Sequence, residues 1–120
     1  MKDLTNRADI VRLIDAFYSK VLADELLSPV FAHVDWPKHM PTMYNFWSSM
    51  MLGDQTYQAN PFQKHVHLPI KATHFKRWLE LFTATVDEHF KGDQAEKIKS
   101  RAWNIAVVFQ HKLGLNPTDD

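Results

Sequence analysis

The residues best suited to chemistry in this sequence are the histidines at the centre of the stretch from Asn60 to Pro69. Asn60 followed by a proline is typical of a helix start, because the Asn side chain accepts an otherwise unpaired amide and proline has no amide to satisfy. Pro69 ends the same helix, since it donates no hydrogen bond and restricts the residue before it. A helix this short, carrying His65 and His67, is not stable alone. Something must pack on it, and a histidine-ligated cofactor is one candidate.

Longer helices are predicted on both sides of this stretch, because apolar residues recur there at the three- and four-residue spacing of one buried face. The predicted helices run from Thr5 to about Asp24, from Asp35 to Gly53, from Thr73 to before Gly92, and from Asp93 to Gly114. A short helical piece is also expected from Ser28 to about His33. No segment shows the alternation of a β-strand. The sequence therefore predicts an all-α domain.

Several residues indicate where these helices begin and end. Thr5 and Thr73 are predicted N-caps, and Gly53 is a predicted C-cap. Asp93, with Glu96 three residues later, resembles a capping arrangement for the last helix. Because prolines occur at 37 and 41, an irregular first turn is expected in the second helix.

Length and charge limit the possible classes of protein. The 120 residues fit one domain over 1–120, with flexible tails expected at 1–6 and 116–120. The 14 basic and 14 acidic residues balance, so no basic stripe indicates a nucleic-acid partner. The absence of cysteine excludes disulfides and covalent haem attachment. Neither a signal peptide nor a membrane span is evident, which favours the cytoplasm. The balanced charge favours a monomer.

The aromatic and histidine content is unusual for a small chain. It contains eight Phe, four Trp, five Met and seven His against three Gly. This composition indicates either a large apolar core or a flat apolar ligand. Tyr18 lies at the edge of the first helix's apolar face, and a buried hydroxyl there requires a hydrogen-bond partner.

Each histidine has an ordinary explanation beside a functional one. His39 shares a helix face with Met43, Phe46, Trp47 and Met50, where a histidine is usually a satisfied core residue. His65 shares the buried side of its short helix with Phe62 and is a comparable candidate ligand. Surface positions are expected for His33, His89 and His111. His74 is expected either at the surface or in a helix cap.

A zinc site formed by His65, His67 and His74 is a weaker hypothesis. Zinc sites usually have characteristic ligand spacing and cysteine or carboxylate ligands, and no such motif is present. His65 and His67 also point in roughly opposite directions on a helix. The nucleophile and phosphate-binding motifs of common enzymes are absent as well.

From about Ile10 to Phe109, the chain resembles the third group of truncated haemoglobins. The resemblance depends on several motifs in order and at matching spacing, none of which is diagnostic alone. These are Phe17-Tyr18, His39, Phe46-Trp47, Tyr57, Asn60-Pro61, Lys64-His65, Leu68-Pro69, Phe75, Arg77-Trp78-Leu79, Leu81-Phe82 and Arg101-Ala102. The sequence departs from the family at Ala59, where members often have glycine, and its prolines at 37 and 41 bracket His39.

The resemblance implies a globin-like two-over-two helical sandwich around non-covalent haem b. It implies that His65 is the proximal iron ligand and that Tyr18, His39 and Trp78 face the distal ligand. An apolar slot is expected to hold the haem. Its predicted lining residues are Met43, Phe46, Trp47, Phe62, Phe75 and Phe82.

The implied function is binding of oxygen, nitric oxide and carbon monoxide. The phenol of Tyr18 and the indole of Trp78 are hydrogen-bond donors that would retain a ligand with negative charge, while His39 could gate its entry. Tight retention favours nitric oxide or oxygen redox chemistry, or sensing, over bulk oxygen transport. A dioxygenase or peroxidase-like activity would need an external reductase. The alternative hypotheses are a helical interaction domain without haem and a small histidine-based metalloprotein. Uptake of haem would distinguish the haem-protein hypothesis from both.

Overall fold

The computed structural model describes residues 1–32, 34–53, 71–112 and 114. Its helices are α1 (Arg7–Ala23), α2 (Trp36–Leu52), α3 (Ala72–His89) and α4 (Asp93–Lys112). The described ranges contain no β-strand, which confirms the all-α prediction. None of these helices has the length and apolar character needed to cross a membrane. The short helix predicted around His65 and the tail from 116 lie outside the described residues.

The helices pack as two pairs, α1 with α2 and α3 with α4, and the contact between α1 and α3 joins the pairs. The predicted apolar face of α1 is buried, with Leu13, Ile14 and Val21 fully inaccessible to solvent. Phe17 on the same face contacts the edge of Phe82 from α3 at a centroid distance of 5.1 Å. The core between α1 and α3 is therefore largely aromatic.

Asn6, rather than Thr5, caps the start of α1. The Asn6 side chain accepts a hydrogen bond from the backbone amide of Asp9 at 2.9 Å. Thr5 instead donates its amide and its hydroxyl to the Asp9 carboxylate, at 2.9 and 3.0 Å. The predicted cap was wrong by one residue because both neighbours can cap a helix, and the sequence does not show which of them the chain path selects.

A run of turns follows α1, where the sequence predicted a short helical piece. Within this turn segment (24–32), backbone hydrogen bonds mostly span three residues, as from Val30 to Leu27 at 3.0 Å and from Phe31 to Ser28 at 3.2 Å. The segment begins at Asp24, whose side chain accepts the amides of the residues two and three positions later. His33, the predicted end of the piece, lies outside the described residues.

The second helix ends as predicted, at a glycine in the left-handed conformation. Gly53 has φ 70° and ψ 24°, and its amide donates to the carbonyl of Ser49 at 3.0 Å. At the other end, Asp35 is the N-cap residue. Pro41 lies inside the helix, which is assigned without interruption from Trp36 to Leu52. The loss of one amide donor so close to the helix start therefore does not end the helix.

Lys71, rather than the predicted Thr73, is the N-cap residue of α3. The first turn is closed by His74, whose Nδ1 atom accepts the backbone amide of Lys71 at 2.8 Å. His74 thus takes the position that glutamate or glutamine fills in a capping box, and this explains why the helix begins earlier than expected.

The N-terminal segment caps the last helix. The Asp3 carboxylate accepts the amides of Gln94 and Ala95 at 2.9 and 2.8 Å, and Lys91 donates its amide to the carbonyl of Lys2 at 2.9 Å. Leu4 is 3% exposed. Residues 2–4, expected to form part of a flexible tail, are therefore held against the start of α4.

Gly92 permits this close approach. It has φ 139°, which disfavours any side chain, and a Cβ atom there would lie 2.6 Å from Cγ of Asp3. The Asp93–Glu96 arrangement expected from the sequence does not provide the cap. Asp93 is itself the first residue of α4, and the capping carboxylate comes from 90 residues earlier in the chain.

Substitution of Asp3 by Ala is expected to lower the free energy of unfolding by about 1–2 kcal/mol, because two helix amides lose their acceptor. Asp93→Ala is the matched control at the same helix end. It removes only a carboxylate near the positive end of the helix dipole, so it is expected to lower the free energy of unfolding by less than Asp3→Ala does. Urea denaturation followed by circular dichroism measures both variants. Equal losses in the two variants would contradict the capping role of Asp3.

Acid is expected to weaken the same N-terminal contacts. Burial raises the pKa of Asp9, but its hydrogen bonds with Lys2 and Thr5 and the charge of Lys2 outweigh this effect and lower the pKa to about 2. The pKa of Asp3 is also lowered, since its three backbone hydrogen bonds outweigh burial. A carboxylate whose pKa is lowered by folding stabilises the protein above the unfolded value and loses that effect as pH falls. Stability should therefore decline between about pH 4 and 2, and less steeply in Asp3→Ala.

Candidate functional site

All four helices and the turn segment enclose one large apolar cavity. Its empty volume, including the space at its mouth, is about 700 Å³. The lining residues are Tyr18, Leu27, Val30, Phe31, Met43, Phe46, Trp47, His74, Phe75, Trp78, Ile105, Ala106 and Phe109.

Tyr18 brings a phenol to this apolar wall. The residue is 6% exposed and lines the cavity, and its hydroxyl makes no hydrogen bond with any residue that the structure describes. Burial raises the pKa of Tyr18 well above its usual value, so the hydroxyl keeps its proton throughout the neutral and moderately alkaline range. The hydroxyl is thus available as a donor to a group inside the cavity.

Trp78 reaches the same cavity from α3. Its ring contacts the edge of Phe17 at 5.6 Å and stacks on Phe82 at 5.5 Å between centroids. These contacts fix the indole plane, since aromatic pairs prefer particular geometries. Tyr18 and Trp78, predicted from the sequence to act together, are therefore both placed at the cavity wall, from α1 and α3 respectively.

His39 lies beside Tyr18 and does not line the cavity. Its ring contacts Tyr18 edge-on at a centroid distance of 5.4 Å and Trp36 at 5.3 Å. The Nε2 atom is buried. His39 is thus adjacent to one of the two cavity donors but separated from the cavity in this structure, because α2 directs its ring toward the Tyr18 and Trp36 side chains.

Four of the residues predicted to contact a cofactor line the cavity; they are Met43, Phe46, Trp47 and Phe75. Phe82 lies one layer further in and does not line it. This ring is fully buried between Trp47 and Trp78, with stacked centroids 4.9 and 5.5 Å away. It therefore supports two lining residues from behind. Phe62 lies outside the described residues.

The remaining lining residues were not predicted to belong to the site. Three come from the turn segment, which no helical periodicity identifies; they are Leu27, Val30 and Phe31. Three more come from the predicted apolar face of α4, where core and cavity positions look the same in sequence; they are Ile105, Ala106 and Phe109. His74, expected at the surface or in a cap, caps α3 and also lines the cavity.

The electrostatic state of His74 follows from its cap. Burial lowers the pKa of His74, and the nearby charge of Lys71 lowers it further. Because Nδ1 accepts an amide hydrogen bond, the neutral ring carries its proton on Nε2. His74 therefore adds a neutral imidazole with a donor nitrogen to an otherwise mostly apolar wall.

The predicted metal ligand, His65, lies outside the described residues, as does His67 of the zinc hypothesis. Among residues 1–32, 34–53, 71–112 and 114, no group of three or more His, Asp or Glu side chains is arranged to hold a metal ion. What the described part of the site provides is a large apolar cavity with donors at Tyr18, Trp78 and His74.

This combination of helices and cavity matches known globins. Residues 3–111 match the model of the bacterial-like globin family. The group 3 truncated haemoglobin of Campylobacter jejuni is 33% identical over 115 residues, which cover 90% of this chain and 91% of that protein. A group 1 truncated haemoglobin of Nostoc commune is 30% identical over 67 residues, covering 55% of this chain and 57% of the relative.

A solved structure agrees with these sequence matches. The crystal structure of the group III truncated haemoglobin from Campylobacter jejuni superposes with a TM-score of 0.85 at 34% identity, covering 94% of this chain and 95% of that one. The chain therefore belongs to the bacterial-like globins and, within them, to the group III truncated haemoglobins. The predicted globin-like fold is confirmed, and membership of the family supports haem-based binding of diatomic ligands such as oxygen.

Proposed function

We propose that the chain holds haem b in the described cavity, with His65 as the proximal iron ligand, with Tyr18 and Trp78 facing the distal ligand, and with His39 beside Tyr18 as a gate to the distal side. We further propose that it serves nitric oxide or oxygen redox chemistry, or sensing, rather than bulk transport. When bound, the haem would supply an iron atom able to bind a diatomic ligand. In this proposal the chain acts as a cytoplasmic monomer. Its catalytic turnover requires an external reductase.

The residues present fit a haem. The cavity wall is mostly apolar, as a flat macrocycle requires, and aromatic and thioether side chains from α2 and α3 line it. Met43, Phe46, Trp47 and Phe75 are the described residues proposed to hold the ring faces and edges. Phe82, stacked behind two tryptophans, keeps that wall rigid.

The single observation that carries the proposal is the Tyr18 phenol. It is buried in an apolar cavity, it keeps its proton, and no described residue receives its hydrogen bond. A ligand that acquires negative charge beside the indole of Trp78 would satisfy this hydroxyl, and it would be released slowly as a result.

Slow release distinguishes redox chemistry and sensing from transport, because a carrier must unload its ligand readily. The test for nitric oxide chemistry is to mix the oxygen-loaded protein with nitric oxide in a stopped-flow instrument and measure nitrate. We expect about one nitrate per haem, with conversion to the ferric spectrum faster than spontaneous oxygen release. Absence of nitrate would contradict the nitric oxide reaction while leaving ligand binding intact.

The position of His39 supports a gate, since its ring contacts Tyr18 but does not line the cavity. Replacement of His39 by Ala is therefore expected to change the carbon monoxide association rate by a larger factor than the dissociation rate. Flash photolysis and ligand displacement measure the two constants separately. A larger effect on dissociation would instead identify His39 as a direct hydrogen-bond donor to the ligand.

A further inference from the structure

An ion pair joins α3 to the end of α1, where the turn segment begins. Arg77 of α3 donates from Nε to Oδ1 of Asp24 at 2.7 Å. Asp24 is the residue at which α1 ends, and its side chain is only 8% exposed. The second carboxylate oxygen of Asp24 accepts the amides of Leu26 and Leu27 at 3.2 and 3.0 Å. One carboxylate therefore connects α3 to the first turns of the turn segment.

Asp24 is ionised in this arrangement. Burial raises its pKa, but the hydrogen bond and charge of Arg77, together with the amides of Leu26 and Leu27, outweigh burial and lower the pKa below its usual value. The same contact raises the pKa of Arg77. Both partners are thus charged at neutral pH, and removal of Arg77 alone would leave a largely buried carboxylate without its cation.

Both partners adjoin residues of the cavity. Arg77 directly precedes Trp78, and Asp24 holds the start of the segment that supplies Leu27 and Phe31 to the wall. The Phe31 ring in turn contacts Tyr18 at a centroid distance of 6.2 Å. Because this segment consists of turns without a regular helix, its position depends on such side-chain anchors more than that of α1 or α3 does.

A second ion pair links the same two helices without reaching the cavity. Lys20 of α1 contacts Glu88 of α3, with side-chain exposures of 30% and 53%. Neither residue lines the cavity. Like the Asp24–Arg77 pair, this pair joins a cation and a carboxylate across α1 and α3. It does not anchor the turn segment, and it therefore serves as a matched control.

We propose that Asp24 and Arg77 are positioning residues that hold the turn segment against Trp78 and so control how readily a diatomic ligand enters and leaves the cavity. This proposal rests on the proposed function. A displaced segment opens the wall formed by Leu27 and Phe31 and shifts the Phe31 ring that packs on Tyr18. Neither residue of the pair lines the cavity, so the pair acts through these neighbours.

The test compares Arg77→Met with Lys20→Met in the haem-loaded full chain. Carbon monoxide rebinding after flash photolysis reports on entry and escape, and the C–O stretching frequency reports on the donors around the ligand. We expect about a fivefold change in the association rate and a shifted stretch for Arg77→Met, with neither change in Lys20→Met. Arg77→Lys, which keeps the cation, should recover part of the difference.

A double variant, Asp24→Asn with Arg77→Met, guards against simple failure to fold, since it leaves no unpaired buried charge and keeps an oxygen for the Leu26 and Leu27 amides. It should show the same kinetic change as Arg77→Met. The proposal would be overturned if both Arg77→Met and the double variant kept the wild-type carbon monoxide rebinding rates and C–O stretching frequency, even with lowered stability.

Amide hydrogen exchange in the haem-free chain separates this proposal from the proposed function. Arg77→Met should speed exchange at Leu26 and Leu27 more than Lys20→Met does, whether or not haem binds. Equal exchange in the two variants would show that the pair does not anchor the segment. A wild-type chain that takes up no haem would overturn the proposed function, and the exchange data would then decide the anchoring role alone.

Discussion

Replacement of His65 by Ala is expected to abolish stable haem retention. If His65 ligates the haem iron, its loss removes the bond that would hold the iron to the protein. Loss of residues that merely orient a metal ligand already costs 10–100-fold, so we expect the rate of haem loss to rise by more than about 100-fold. Haem transfer to an apo-globin acceptor, followed at the Soret band, measures this rate.

His67→Ala is the matched control. The two histidines are two positions apart in a predicted helix and so point in roughly opposite directions. The control should keep one haem per chain and the wild-type spectrum. If His65→Ala retained haem with wild-type stoichiometry and spectrum, the proximal assignment would be wrong, whatever the control showed.

Substitution of Tyr18 by Phe is expected to accelerate oxygen dissociation by about 5- to 150-fold. A hydrogen bond to a charged group in a dry cavity contributes about 1–3 kcal/mol, and each 1.4 kcal/mol corresponds to a factor of ten. The substitution keeps the ring and its edge-on contacts with Phe31 and Trp36. Trp78→Phe should also accelerate release. Stopped-flow displacement of oxygen by carbon monoxide measures each rate.

Tyr44→Phe is the matched control for the loss of a phenol. Tyr44 lies on α2, donates its hydroxyl to Asp15 and does not line the cavity. Its removal should leave the oxygen rate unchanged. If Tyr18→Phe and Trp78→Phe both released oxygen at the wild-type rate, neither residue would belong to the distal hydrogen-bonding network.

The helices could largely be predicted from sequence because each carries its own periodic apolar face. The predicted stripe of α1, including Phe17 and Val21, is fully or almost fully buried. Helix ends were harder wherever several residues can cap. Asn6 displaced Thr5, and Asp3 reached across the whole chain to cap α4 in place of a local residue. A local sequence pattern, which extends over a few residues, cannot predict a contact between positions 3 and 94.

The site was partly predictable for the same reason. Tyr18 and Trp78, singled out by the family resemblance, both line the cavity, while their role toward a distal ligand stays a prediction. A short helical piece was predicted within the turn segment, but its contribution to the cavity was not, because that contribution depends on a path of turns rather than on a repeat. Phe82 was placed one layer too close to the cavity, since helical spacing gives the direction of a side chain but not its depth. His74 combines a cap and a cavity position that sequence alone does not connect.

The most direct test of the account is the visible absorption spectrum of the purified chain titrated with haemin, reduced with dithionite and exposed to carbon monoxide. We predict a sharpened Soret band that saturates at one haem per chain and shifts on addition of carbon monoxide. Absence of saturable binding would contradict the proposed haem site, and the aromatic cavity would then require another explanation, such as the core of a helical interaction domain.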